Sequence, residues 1–305
     1  MASTLANTIS ELCLNFFFNK LPNAKKTLKS NEWTILSAIV IERDNKYEVV
    51  SLGTGTKCIG SILLSDKGDI LNDSHSEIIC RRAFLRYLLS QMMATKSDTS
   101  IFVYNDTQMK FNLREKIKFH FFTTSSPCGD ASIYTINNMD DEGPENKRVK
   151  VNDNGGSLGG FTGAKLMFSE DVEDPMAQTE GKIRIKPGKG DRTLSLSCSD
   201  KMARWNLMGI QGCMLYSLLD APIYLQSFII ADGTPYNYVS MERALYKRFE
   251  NIEKLLVKSK FKLNKPQILI ANNRKIFSFA KSEKAERINP GSSSLAYCKV
   301  DETER

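Results

Sequence analysis

Histidine is scarce in this chain, with 2 among 305 residues. Chemistry that needs an imidazole is thereby narrowed to His75 and His120. No apolar run approaches the ~20 residues of a bilayer-spanning helix, so a membrane protein is not expected. Residues 1–14 lack a basic stretch followed by a long apolar one, and nothing there reads as a secretory signal. The 7 cysteines are odd in number and scattered, unlike the paired framework of a small disulfide-rich domain. Reduced thiols with a metal-binding subset, in the cytosol or nucleus, are therefore expected. No internal repeats are visible.

What is present is ordinary globular material, 41% hydrophobic and 25% charged, with enough length for a substantial core. The net charge of +7 is compatible with a polyanionic partner. Residues 33–50 read as two strands about a turn at Asp44-Asn45, and 57–64 as another short strand. A helix follows over 75–93, with Ile78, Ile79, Phe84, Leu85, Leu88 and Met92 on its apolar face. Residues 116–124 form the clearest strand. The stretch 137–160, polar and charge-dense, reads as a surface loop or partly disordered insertion. Further on, 200–219 reads as a buried helix, 223–231 as a core strand and 241–257 as an amphipathic helix. Strands alternating with helices predict an α/β layered domain with helices covering a sheet.

Chemistry gathers at three places. His75 stands in Asn-Asp-Ser-His-Ser-Glu at a helix start, with Glu77 two residues on. Cys128 lies in Ser-Pro-Cys-Gly-Asp and Cys198 in Ser-Cys-Ser-Asp, each where a strand or loop runs into a helix. One imidazole and two thiolates can hold zinc with a fourth position open to water, and a carboxylate outside the ligand set can move protons. Zinc deaminases follow that plan with H-x-E and P-C-x-x-C. Here Asp130-Ala131 replaces the second cysteine, so the third ligand must come from elsewhere, and Cys198 is the best candidate. Ser74 to Glu77 also fits a helix capping box, and free cysteines are commonly just buried. His120, alternating within an aromatic strand, reads as packed.

The stretches LNDSHSEIICRRAFLRYL, TTSSPCGDASIY and RTLSLSCSDKMARWNLMGIQG resemble the editase family, the adenosine deaminases acting on tRNA and on double-stranded RNA. That resemblance covers most of the chain and implies a single deaminase domain over 1–305 with a cytidine-deaminase-like core, a central mixed sheet flanked by helices and zinc at helix N-termini. It makes His75, Cys128 and Cys198 the zinc ligands and Glu77 the proton shuttle. It also implies an inositol hexakisphosphate held by Asn72, Ile78, Arg81, Arg82, Lys201 and Arg204, linked to the metal through Asp73 and Lys201. The stretches TGAK and RIKPGKGDRT look more like the tRNA branch, which implies the adenosine 3′ of the anticodon in alanine tRNA as target. An editor of messenger or double-stranded RNA and a silent RNA-binding relative are the alternatives. Thr56, Lys57, Lys182, Arg184, Lys186, Lys189 and Arg192 are expected to face the RNA. Relatives continue past the position of Arg305 with further lysines for the polyanion, so the C-terminal part of the family domain is expected to be missing. Ser76 stands where many relatives have Ala, and Cys213 where the messenger-RNA editors have Ser.

Overall fold

A computed structural model describes all residues except 1, 22, 24–27, 96–98, 136–149, 152–156, 161, 168–176, 189–190, 282–287 and 301–305. Its order is α1 Ala2–Asn15, β1 Leu36–Arg43, β2 Lys46–Thr54, α2 Ser76–Met93, β3 Ile117–Thr123, α3 Cys198–Met208, β4 Ser227–Ile230, α4 Tyr238–Leu245, β5 Gln267–Ile270 and β6 Ala296–Cys298. The strands form one 6-stranded sheet in the order β5-β4-β3-β1-β2-β6. β3, β4 and β5 run parallel, and β1, β2 and β6 join by antiparallel pairing. The expected mixed sheet is there.

Two cores explain why β1 is apolar almost throughout. Ile39 and Ile41 point to the face covered by α2, α3 and α4, where Phe84, Met202 and Met241 pack. Leu36, Ala38 and Val40 point to the other face, closed by α1 through Ala6, Ile9 and Cys13 and by Phe17. Period-two alternation thus feeds apolar groups to both sides of a buried strand. The hairpin turn falls on Asp44 and Asn45, both at positive φ (49° and 61°), a geometry that Asn and Asp tolerate.

Several expected elements differ. Residues 57–64 do not form a strand: Cys58 makes a lone bridge to Asp73, and Ser61–Leu63 is a 3-10 turn. Ile62 N–H donates to Asp191 and Ser61 N–H to Arg192 O instead of to a neighbouring strand. The helix expected over 200–219 begins at Cys198 and stops at Gly209, whose φ is +78°, before a short helix Gly212–Tyr216. The Gln211 amide caps the break by donating to Met208 O at 2.7 Å. The expected 241–257 helix splits after Leu245, because Tyr246 leaves helical geometry and Arg248 is drawn to Asp200 at 2.5 Å. Within 137–160, Lys150–Val151 and Ser157–Gly160 are strands of a 3-stranded sheet with Tyr134–Thr135. The rest of that loop expectation lies outside the described residues. No helix among the described residues is long and apolar enough to cross a membrane.

Candidate active site

Three chain segments deliver the site. His75 is the N-cap of α2 and Ser76 its first residue, so the imidazole and Glu77 leave the same helix end. Cys128 lies in the turn after β3, before a 3-10 turn at Asp130–Ser132. Cys198 opens α3, whose N-cap Ser197 accepts a hydrogen bond from Asp200 N. Gly129 lets these turns touch: at φ +101° a Cβ there would fall 2.2 Å from Ser197 Oγ.

His75, Cys128 and Cys198 offer ligand atoms all within 4.8 Å of one another. His75 Nδ1 lies 3.5 Å from Cys198 Sγ and 3.9 Å from Cys128 Sγ. A tetrahedral zinc with its usual bond lengths requires sulfur and nitrogen about 3.6 Å apart, so the donor set fits the ion. Among the described residues no fourth His, Cys, Asp or Glu joins the group. Glu77 is 1% exposed and receives Ser76 Oγ at 3.2 Å.

Electrostatics favour thiolate. The α3 amide of Cys198 donates to Cys128 Sγ at 3.3 Å, as expected at a helix N-terminus. A hydrogen bond from the Cys198 thiol, with Lys186 and His75 nearby, holds Cys128 far below the ordinary cysteine value. Burial and the neighbouring Cys128 charge push Cys198 well up. The two sulfurs therefore share a proton that a cation would replace. Burial works against His75 charging, but the Cys128 charge outweighs it and raises its pKa.

Lys186 is the feature that composition hides. The basic loop was expected to turn Arg184 and Lys186 towards RNA, but both side chains are buried. Arg184 donates to Ala164 O, Ala177 O and Thr179 O. Lys186 Nζ reaches Cys198 Sγ at 3.1 Å and the Asp73 carboxylate at 2.8 Å. A buried ammonium is costly without partners, and here a sulfur and a carboxylate supply them. Residue type alone gives no signal of this, because a run of Lys and Arg beside Gly and Pro reads as surface. Lys57, Lys182 and Arg192 are exposed, Thr56 is half-buried, and Lys189 lies outside the described residues.

Asp73 also accepts from Lys201 Nζ at 2.5 Å. A polar chain thus runs from Cys198 through Lys186 and Asp73 to Lys201, which lines a cavity of about 420 Å³ between α2 and α3. Ile78, Arg81, Arg82 and Arg204 line it too. Asn72 does not; its carbonyl is engaged by Ile59 N–H at 3.0 Å. Arg81 donates to Ile210 O at 2.9 Å and packs over Trp205. Burial and Arg204 push its pKa down to about 10. Among the described residues no carboxylate pairs with Arg81, Arg82 or Arg204. His120 is no part of the site: buried in β3, it bonds Ser227 Oγ and Glu42.

The model of the adenosine-deaminase (editase) domain matches residues 51–305. A tRNA-specific adenosine deaminase 1 of Drosophila melanogaster is 43% identical over 268 residues, covering 86% of this chain and 63% of the relative. The Homo sapiens protein of the same name is 31% identical over 403 residues, 97% of this chain and 80% of its own. The double-stranded RNA-specific editase Adar of D. melanogaster is 32% identical, with 88% of this chain and 39% of the relative covered.

Proposed function

The chain belongs to the adenosine-deaminase (editase) family, and we propose that it hydrolyses adenosine to inosine in tRNA, with zinc as cofactor. The observation that carries this reading is a three-donor cluster with no fourth side-chain ligand among the described residues and a buried carboxylate, Glu77, beside it. A structural zinc site is closed by four ligands and has no use for that carboxylate.

His75, Cys128 and Cys198 would hold the zinc, which supplies a Lewis acid that makes water nucleophilic near neutral pH. Glu77 accepts the proton of the water that attacks purine C6, passes it to N1, and serves again as ammonia leaves. Ser76 donates to one Glu77 oxygen and so fixes the carboxylate's rotation. Lys186 donates to the Cys198 sulfur, which would favour its thiolate once a cation replaces the shared proton, and Asp73 keeps Lys186 in place. Adenosine and one water are consumed, and inosine and one ammonia are released.

The adenosine 3′ of the anticodon in alanine tRNA is the target we infer. The support for a tRNA substrate is the comparison within one organism, 43% identity to the tRNA-specific deaminase of D. melanogaster against 32% to its editase Adar. An anticodon-loop base is already unpaired, so extruding it costs less than in a duplex. We also infer that the cavity between α2 and α3 takes inositol hexakisphosphate, because among the described residues no carboxylate pairs with the Arg81, Arg82 and Arg204 that line it. Free thiols suit a cytoplasmic or nuclear location.

The test is incubation with anticodon stem-loop transcripts and sequencing for adenosine-to-inosine change. Zinc-loaded protein should convert the alanine transcript, and Glu77→Gln should keep zinc and fold while losing activity by about 10³-fold or more. Full activity in Glu77→Gln would remove the shuttle. Conversion of long duplex RNA but no tRNA would move the chain to the double-stranded-RNA branch.

A further inference from the structure

Between Cys58 and Asp73 the chain makes a closed excursion. Ile59 N–H donates to Asn72 O at 3.0 Å and Ser74 N–H to Lys57 O at 2.8 Å, tying its ends. Its tip, the 3-10 turn Ser61–Leu63, is fastened by a carboxylate from the distant basic loop. Asp191 accepts from Ser61 Oγ at 3.0 Å and from Ile62 N–H at 2.8 Å. Ser61 N–H donates to Arg192 O, also at 2.8 Å. Gly60 makes room, since a Cβ there would lie 2.9 Å from the Asp191 Cβ.

The turn so immobilised holds apolar side chains in water. Ile62 is 82% exposed and Leu63 61%, and Leu194, three residues beyond the clamping Asp191, is 68% exposed. Exposed Arg192 stands beside them. A fixed apolar ledge of this kind marks a contact surface more than a scattered Leu does. The excursion ends at Asn72, next in sequence to Asp73, which holds Lys186 against Cys198, and its clamp Asp191 comes from the segment between Lys186 and Cys198.

We propose that Ile62, Leu63 and Leu194, with Arg192, form an RNA-contact ledge on which nucleobases flanking the target adenosine pack, and that Asp191 is its positioning residue. This rests on the reading that RNA is the substrate. The occupant is RNA because the chain carries a net +7 charge and the ledge carries the exposed Arg192 guanidinium, which donates one N–H to Met167 O at 3.2 Å and keeps others for phosphate. Unstacked bases of a single-stranded loop, in turn, need an apolar surface beneath their faces.

The test uses zinc-loaded full chain, a fluorescent anticodon stem-loop RNA at fixed salt, and inosine formation on the same RNA. Ile62→Ser with Leu63→Ser should weaken RNA binding about tenfold, the equivalent of one lost aliphatic contact. Asp191→Ala should do the same, and Asp191→Asn less, because it keeps one acceptor oxygen. KM should rise with Kd, while kcat at saturating RNA and zinc content stay unchanged. Unchanged affinity in the double variant overturns the ledge. A fall in kcat or zinc at unchanged affinity reduces Asp191 to a structural part and overturns its role. Unchanged RNA affinity with lost self-association in ultracentrifugation gives the ledge to a second copy of the chain, also overturning it. If the unaltered protein makes no inosine yet the variants still lose RNA affinity, the deaminase reading fails and the ledge stands.

Discussion

Cys198 shows how much one side chain carries. Its sulfur touches His75 at 3.5 Å and Lys186 at 3.1 Å, and its backbone amide holds Cys128. Replacing it by Ala leaves the amide but removes a proposed ligand and leaves the buried Lys186 ammonium with Asp73 alone. Cys198→Ala should therefore lose stoichiometric zinc, read by elemental analysis; full metal content would remove Cys198 from the ligand set. His120 offers a test away from the metal. Burial holds its pKa below the ordinary 6.5 although Glu42 accepts from it. Below the unfolded pKa the unfolded chain binds a proton that the folded chain refuses, so stability is full above about 6.5 and declines as pH falls towards the folded value. Glu42, held low despite its burial by Lys118 and His120, adds its own loss only at lower pH. Melting temperature should fall from about pH 7 to about pH 5, and His120→Gln should flatten that slope. Equal slopes in both proteins would refute the assignment.

The junction of α2 with β2 decides where His75 and Glu77 point. Gly53 makes it possible: a Cβ there would meet Cys80 N at 2.4 Å and Ser76 O at 2.6 Å. Both are backbone atoms of α2, which carries His75 and Glu77 at its start, and cannot rotate away. Gly53→Ala should cost about 3 kcal/mol and lower zinc occupancy, because the helix must lift with its N-terminal ligand; wild-type stability and occupancy would show that the helix is not held this close. Elements of this kind differ in how far sequence reveals them. The β1–β2 hairpin is legible because alternation and an Asp-Asn turn agree. The start of α2 is legible from Asn-Asp-Ser-His-Ser-Glu. By contrast, the stop at Gly209 depends on Gln211 folding back onto Met208, a contact that local composition does not encode. The 61–63 turn depends on Asp191, some 130 residues away in the chain. Arg184 and Lys186 mislead for the same reason, since their inward direction is set by carbonyls and a carboxylate from other segments.

At the scale of the whole molecule, metal site and basic cavity are one electrostatic system. Lys201 lines the cavity and binds Asp73, Asp73 binds Lys186, and Lys186 touches a zinc-type ligand. Among the described residues no carboxylate pairs with Arg81, Arg82 or Arg204, and Arg81 and Arg204 repel one another, so a polyanion filling the gap between α2 and α3 should stabilise the fold. At a ligand concentration 100 times its Kd the gain is about 2.7 kcal/mol. Inositol hexakisphosphate added to polyanion-free protein should then raise the melting temperature by several degrees, and Arg204→Glu should abolish the rise without removing zinc. Linkage makes the coupling reciprocal: whatever factor the polyanion adds to zinc affinity, zinc adds to polyanion affinity. Zinc competition with a chelator, run with and without inositol hexakisphosphate, measures that factor directly. Lys201→Met breaks the chain at its one half-exposed member, so both ligands should still bind while the factor falls towards one. A coupling factor of one in the unaltered protein would mean that the cavity and the metal centre, though joined by hydrogen bonds, act independently.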